Sequence, residues 1–455
     1  MSYAIDRRRF LAGGAGLLGL YASAYSPLLR SEQAADDYKA LVLVFQYGGV
    51  DCHDVIIPYD SGAYNEYANI RADVLSGHGG SRARGALLPL GSGGTAYALP
   101  PELSAFHALY EEGSAAVVGN LGPLVEPVTQ DQLAAGAGAL PPRLFSHNDQ
   151  QSVWQATAPE GALAGWGGIF TDLMIDQGFS PGSTFSALTT ARDGLFVTGY
   201  ETVPYFAGSG RTQLELASLV ANSAGGDLRS LYAALIEEGR SASHILARDL
   251  ANITVDGFQA NEEYLSILQQ APDLGVSFSQ TNVSQQFEKV AKIVATREQF
   301  GVTRQVFLVG AYGYDTHSYQ AGLLPGLHSE LNNGVAEFVE ALKNIGAYSQ
   351  VAVATGSDFG RTLRANGDGT DHGWGGHHFV LGGAVNGGQL FGTIPDPTFE
   401  HAQDAGNGRL IPTISVEQYA AKLGAWMGLP DSALEFALPN WRNFNDDPLS
   451  GLLLG

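Results

Sequence analysis

The chain has 455 residues, 45% of them hydrophobic and 15% charged, with a formal net charge of −22. That acidity excludes a nucleic-acid partner, because phosphates are repelled, and disfavours docking on anionic lipid. A single cysteine, Cys52, rules out an internal disulfide, and a chain of this length can bury enough apolar surface without one.

The N-terminus comes first. Arg7, Arg8 and Arg9 precede an uncharged stretch from Phe10 to Ala24, and Ala22-Ser23-Ala24 fits a cleavage site of A-x-A type. Basic, apolar and small-residue regions in that order read as a secretory signal over residues 1–24, the alternative being an uncleaved N-terminal anchor. The order Arg7-Arg8-x-Phe10-Leu11 fits the twin-arginine route, which carries folded cargo. The apolar part is shorter than the ~20 residues a spanning helix needs. No later segment is apolar enough to span, so no stable membrane span is expected after cleavage. The mature protein is expected in the periplasm or outside the cell, as one domain over residues 25–455.

Five apolar runs follow, each ending in a glycine-rich polar turn: Ala40–Phe45, Ala115–Val118, Gln305–Val309, Val351–Thr355 and Phe379–Leu381. Continuous apolar runs of this length suit strands buried on both faces of a parallel sheet. Helical patterns lie between them, as over Leu327–Ile345. Alternation of this kind predicts an α/β sandwich with a helical insertion near 205–300. Ligands of open α/β sheets bind at the carboxyl ends of the strands, and there the Asp/His clusters fall.

After the first run come Gly48-Gly49 and Asp51, which either points a carboxylate into a site or caps the next turn. Ser146 opens a helix pattern through Trp154; it is either a nucleophile aided by the helix N-terminus or an ordinary N-cap, with His147 beside it. Asp315 and His317, two residues apart on an extended segment, can reach one metal. Asp358 stands where a ligand is expected. Arg361 is either an anion-gripping fork or an ion-pair partner of Asp358. Thr370–His378 holds three histidines. His372 is the strongest metal-ligand candidate, Asp371 is suited to orient it, and His378 enters a strand and suits a core position equally.

Together these residues resemble the exported bacterial family catalogued as domain of unknown function 1501, in the alkaline phosphatase-like superfamily with sulfatases. The carriers are the twin-arginine signal, Phe45–Asp51, Ser146-His147 with Gln151 and Trp154, Gly313–His317, Ser357–Arg361, Thr370–Gly383, Arg409–Thr413, and Pro439-Asn440 with Asn443-Phe444. The resemblance implies an alkaline phosphatase-like three-layer sandwich, a mostly parallel sheet flanked by helices, with one or two divalent metals at the strand ends. It implies Asp51, Asp315, Asp358 and His372 as ligands with His317 close by. Phe359 stands where the superfamily often has a second histidine, so one metal site looks depleted.

The function expected is a metal-dependent hydrolase of phosphate or sulfate esters. Ser146 or a water would attack, and Arg361 and His147 would steady the oxyanion. Mixed carboxylate and imidazole ligands suit zinc or manganese. The alternative is a non-catalytic protein of the same fold that binds or assembles an envelope or extracellular component.

Overall fold

The computed structural model describes residues 37–91, 96–208 and 227–454. The signal sequence expected over residues 1–24 lies outside them. Fourteen strands are described. β1 (Lys39–Tyr47), β5 (Ala115–Gly122), β6 (Ala187–Thr189), β7 (Tyr205–Phe206), β8 (Arg304–Tyr312), β9 (Val351–Ser357), β12 (Gly376–Leu381) and β13 (Leu390–Gly392) make one sheet, and β14 (Ile414–Ser415) joins it on β5. Their order is β13-β5-β12-β9-β1-β8-β6-β7. β2 (Ile57–Pro58), β3 (Leu88–Pro89) and β4 (Tyr97–Leu99) form a small separate sheet. β10 (Arg361–Ala365) and β11 (Thr370–His372) form an antiparallel pair.

The strands expected from the apolar runs are all present. β1 pairs in parallel with both β8 and β9. β12 differs from the parallel expectation, running antiparallel to β5 and β9. It follows directly from the β10–β11 hairpin, so the chain re-enters the sheet from the end it has just left, without a crossover.

Helices cover both faces. α1 (Ser104–Glu111), α6 (Asn282–Ala295) and α7 (Gln320–Asn344) contribute to the apolar cluster on one side, with Phe106, Phe287 and Phe338. α2 (His147–Ala156), α3 (Trp166–Asp176) and α8 (Val416–Trp426) contribute to the other, with Trp154, Phe170 and Tyr419. This is a three-layer α/β sandwich around a mostly parallel sheet. Every residue from Ala40 to Phe45 is fully buried, which is why β1 reads as an unbroken apolar run. α4 (Asp227–Ser241) and α5 (Ile245–Leu268) lie between β7 and β8. α6, inside the range expected for an insertion, is instead part of the core, with Val283, Phe287, Val290 and Val294 buried.

Parallel β9, β1 and β8 are adjacent, so their carboxyl ends share one edge of the sheet. The segments leaving them carry Asp358, Gly48–Asp51 and Asp315–His317. Gly48, at φ +117°, lets two of these segments touch: a Cβ there would lie 2.3 Å from the Asp315 nitrogen.

Candidate metal centre

The side chains of the centre are delivered by three strand ends and one helix start. Asp315 and His317 follow β8, and Asp358 follows β9. His372 ends β11, and His147 opens α2. Gly369 brings the β10–β11 turn against the backbone of His317, where a Cβ would sit 2.3 Å from the His317 carbonyl carbon.

The donor atoms converge. His147, Asp315 and His372 each offer one ligand atom, and all three lie within 4.8 Å of one another. His317 Nε2 is 2.8 Å from His372 Nε2 and 3.2 Å from Asp315 Oδ1. His372 Nε2 is 3.5 Å from Asp315 Oδ1, and His147 Nε2 is 3.6 Å from Asp315 Oδ2. Ligand bonds of about 2.0–2.2 Å put neighbouring donors of a tetrahedral ion about 3.3 Å apart, so the group of His147, Asp315 and His372 fits the ligands of one small divalent cation, with His317 in contact with His372 beside it.

The far sides of the rings are already assigned. His372 Nδ1 is 2.7 Å from the Phe145 carbonyl oxygen. A carbonyl only accepts, so Nδ1 carries the proton and Nε2 keeps its lone pair toward the centre. His147 Nδ1 is 2.6 Å from Asp358 Oδ2, which also accepts from Gln151 Nε2 at 2.8 Å. His317 Nδ1 lies 3.4 Å from Asp371 Oδ1. A backbone carbonyl or carboxylate behind each imidazole is the arrangement that orients metal-ligating histidines. Burial lowers the His372 pKa, opposed in part by the Phe145 carbonyl. The hydrogen bond to Asp358 raises that of His147 against the effect of burial. The centre opens to solvent through Asp315 and His317, whose side chains are 46% and 44% exposed.

Three expectations need correction. Asp51 does not reach this cluster. Its carboxylate is fully buried and is taken by the Arg71 guanidinium and the Gln320 amide, with the His53 amide also donating to it. A buried carboxylate needs a compensating cation, and Arg71 supplies it. Asp358 orients His147 from behind; its Oδ1 is buried without a hydrogen-bond partner. Arg361 pairs with Asp315, at 2.8 Å, and not with Asp358. It is fully buried and also donates to the Gly48 carbonyl and Thr370 hydroxyl, so it braces the centre instead of facing a ligand.

Ser146 stands at the N-cap position of α2, but its side chain makes no capping bond. Its hydroxyl donates to Asp149 Oδ2 at 2.9 Å. Asp149 is buried, and its other oxygen has no partner. Two further contributors had no role assigned from the sequence, although Arg409 lies in a segment that carries the family resemblance. Gln320 accepts from Thr316 and Thr370 while donating to Asp51, which ties the layer under the centre together. Arg409 lies over the Phe145 ring and donates to the His372 carbonyl at the mouth. The Phe145 carbonyl could not have been found from sequence, because any residue offers one.

The fold and site together define an α/β protein with a solvent-open histidine–carboxylate centre at the carboxyl end of its sheet. Among known proteins, the model of the family described as "Protein of unknown function (DUF1501)" matches residues 234–429. That span holds Asp315, His317, Asp358, Arg361 and His372, and stops short of Asp51 and Ser146-His147. No curated protein matches the chain. Among solved structures, Ps i-CgsB is 9% identical, with 90% of this chain and 77% of that one covered at a TM-score of 0.40. The PsFucS1 sulfatase from Pseudoalteromonas sp. is 13% identical, with 95% and 78% covered at 0.33. The lipoteichoic acid synthase LtaP from Listeria monocytogenes is 9% identical, with 85% and 80% covered at 0.33.

Proposed function

We propose that the protein is an exported hydrolase of phosphate or sulfate esters whose centre holds one divalent cation, zinc or manganese, through His147, His317, His372 and Asp315. One observation carries this reading: the donor atoms of His147, Asp315 and His372 lie within 4.8 Å of one another, with His317 Nε2 beside those of His372 and Asp315, while two of the Nδ1 atoms hydrogen-bond to Asp358 and the Phe145 carbonyl. A cation held there supplies Lewis acidity to an ester oxygen.

The chain's own residues have distinct tasks. Arg361 holds one oxygen of Asp315 and leaves the other directed at His147. Asp358 and Gln151 fix the His147 ring. Ser146 is the nucleophile of this reading, with Asp149 accepting its proton, since a hydroxyl bonded to a buried carboxylate is set up for general-base assistance. Arg409, over the Phe145 ring and bonded to the His372 carbonyl, puts a positive charge beside the centre that would attract an anionic substrate. Export by the twin-arginine route belongs to the same proposal, and no helix among the described residues is long and apolar enough to cross a membrane.

Elemental analysis and turnover test it together. The purified protein should hold about one equivalent of zinc or manganese. His372→Ala and Asp315→Ala should lose the metal while keeping the wild-type circular dichroism. Hydrolysis of p-nitrophenyl phosphate or p-nitrophenyl sulfate should stop on chelation and return with that metal. Folded protein without metal, or turnover indifferent to chelator, overturns the reading.

A second reading has its own support. Arg361 is spent on Asp315, so an anionic ester finds no free guanidinium from that residue. A metal-loaded protein without turnover of either ester, and with Ser146→Ala unchanged in ligand binding, would make it an exported binding or assembly factor.

A further inference from the structure

α5 carries a second pattern that the metal centre does not use. Leu246, Leu250, Ile253, Gly257, Ala260, Tyr264 and Ile267 follow one another at alternating spacings of four and three. That is the seam of a helix meant to pack against another helix. Its C-terminal half does so inside the molecule: Tyr264 and Ile267 are 5% and 7% exposed and belong to the main core. Its N-terminal half leaves the seam open. Leu246, Leu250 and Ile253 are each 68% exposed. α4 packs on another face of α5, where Ala251 is buried beside Gly239.

The seam runs into a groove of about 550 Å³ between α3, residues 201–205 and α5. Ile175, Val203 and Ile253 line it with the carboxylates Asp176, Glu201 and Asp256, and no described basic side chain lines it. Gly257 lies on its wall, and a Cβ there would meet nothing within 4 Å. Glycine in a helix interior costs about 0.5–1 kcal/mol relative to alanine, and no neighbour among the described residues requires this one. A bare patch of backbone at a seam position admits close approach of another helix.

Charge selects the occupant. Beside the seam, at one heptad position, stand Asp249, Asp256 and Glu263, all exposed. On its other side stand Ala247, Thr254 and Asn261, all uncharged. A second copy of α5 would meet acid with acid if antiparallel, and acid with neutral residues if parallel, so self-pairing gains no charge contacts. The geometry points to a docking site for an amphipathic helix of another protein, with apolar residues in its seam and Lys or Arg beside it. Flanking charges of this kind set partner and orientation, while the seam supplies the apolar burial.

The test uses the purified full chain and two synthetic 21-residue helical peptides, both with Leu at the seam positions, one flanked by Lys and the other by Glu. Fluorescence anisotropy should show saturable binding of the Lys peptide, weakened by salt, and none of the Glu peptide. Ile253→Asp should abolish it. The double variant Asp249→Lys, Asp256→Lys should weaken the Lys peptide by about tenfold or more and admit the Glu peptide. All these positions are exposed, so the variants should keep the wild-type melting temperature. Equal binding of both peptides, or a Lys-peptide affinity untouched by the double variant, would reduce the effect to general attraction by an acidic protein and overturn the proposal. Concentration-dependent dimerisation lost in Ile253→Asp would overturn it in favour of a second copy. Protection of a Leu250→Cys thiol from labelling in the peptide-free monomer would overturn it in favour of a cover from the same chain.

Discussion

At the residue scale, the centre depends on groups that touch no ligand themselves. Asp358→Asn keeps the shape of the side chain but replaces a carboxylate behind His147 with a neutral amide. Outer partners of this kind are worth about 10–100-fold in metal affinity, and competition with a fluorescent chelator should show a loss in that range. An affinity unchanged by the substitution would mean that His147 is oriented by something else. Arg71 offers a contrasting case. Removing one partner of a buried ion pair costs about 3–5 kcal/mol, since the other charge stays buried and unpaired. Arg71→Met should therefore shift urea unfolding by that order, whereas exposed Arg240, paired with Glu237 on the surface, should matter little. How far the site was legible follows from the same residues. Asp315 and His317 stand out because they lie in a short polar cluster after an apolar run, and His372 because it lies in the histidine-rich stretch before the Phe379–Leu381 run. Asp51 looks equivalent by the first criterion, and only the packing of Arg71 against it removes it from the metal.

At the scale of elements, glycines decide which segments meet. Gly48→Ala places a Cβ against the Asp315 backbone at a positive φ, so the β1 and β8 ends must part. A cost of about 1–3 kcal/mol and a weaker metal site are expected together, measured by thermal melting and metal titration on the same variant. Ser415→Ala gives the comparison. It removes the capping box of α8, far along the chain from the centre, and should cost about 1 kcal/mol while leaving metal affinity alone. The strand pattern was readable because both faces of β1, β8 and β9 are buried, which turns a strand into an apolar run. The direction of β12 was not, because an apolar run has no polarity. Only the hairpin before β12 decides it.

At the scale of the whole molecule, acid should unfold the protein through buried neutral histidines. Burial pushes the pKa values of His53, His377 and His378 down to about 3 from 6.5. The unfolded chain takes up these protons first as the pH falls. The stability they represent is complete above about pH 6.5 and is lost progressively toward pH 3. With chelator present, urea midpoints measured from pH 8 to pH 4 should fall steadily below pH 6.5, and a flat profile would contradict the assignment.

The sequence by itself determined the α/β class, the buried strands, and the placement of Asp and His residues where strands end, because burial and turn chemistry act over a few neighbouring residues. Tertiary structure decided which of those residues share a centre. His147 and Asp315 are 168 positions apart in the chain, and their meeting depends on strand order and on glycines that let backbones touch. It also decided that Asp51 faces Arg71, and that half of the α5 seam is buried while the other half is open. Periodicity shows that a helix face is apolar, but what covers that face is a property of the folded molecule.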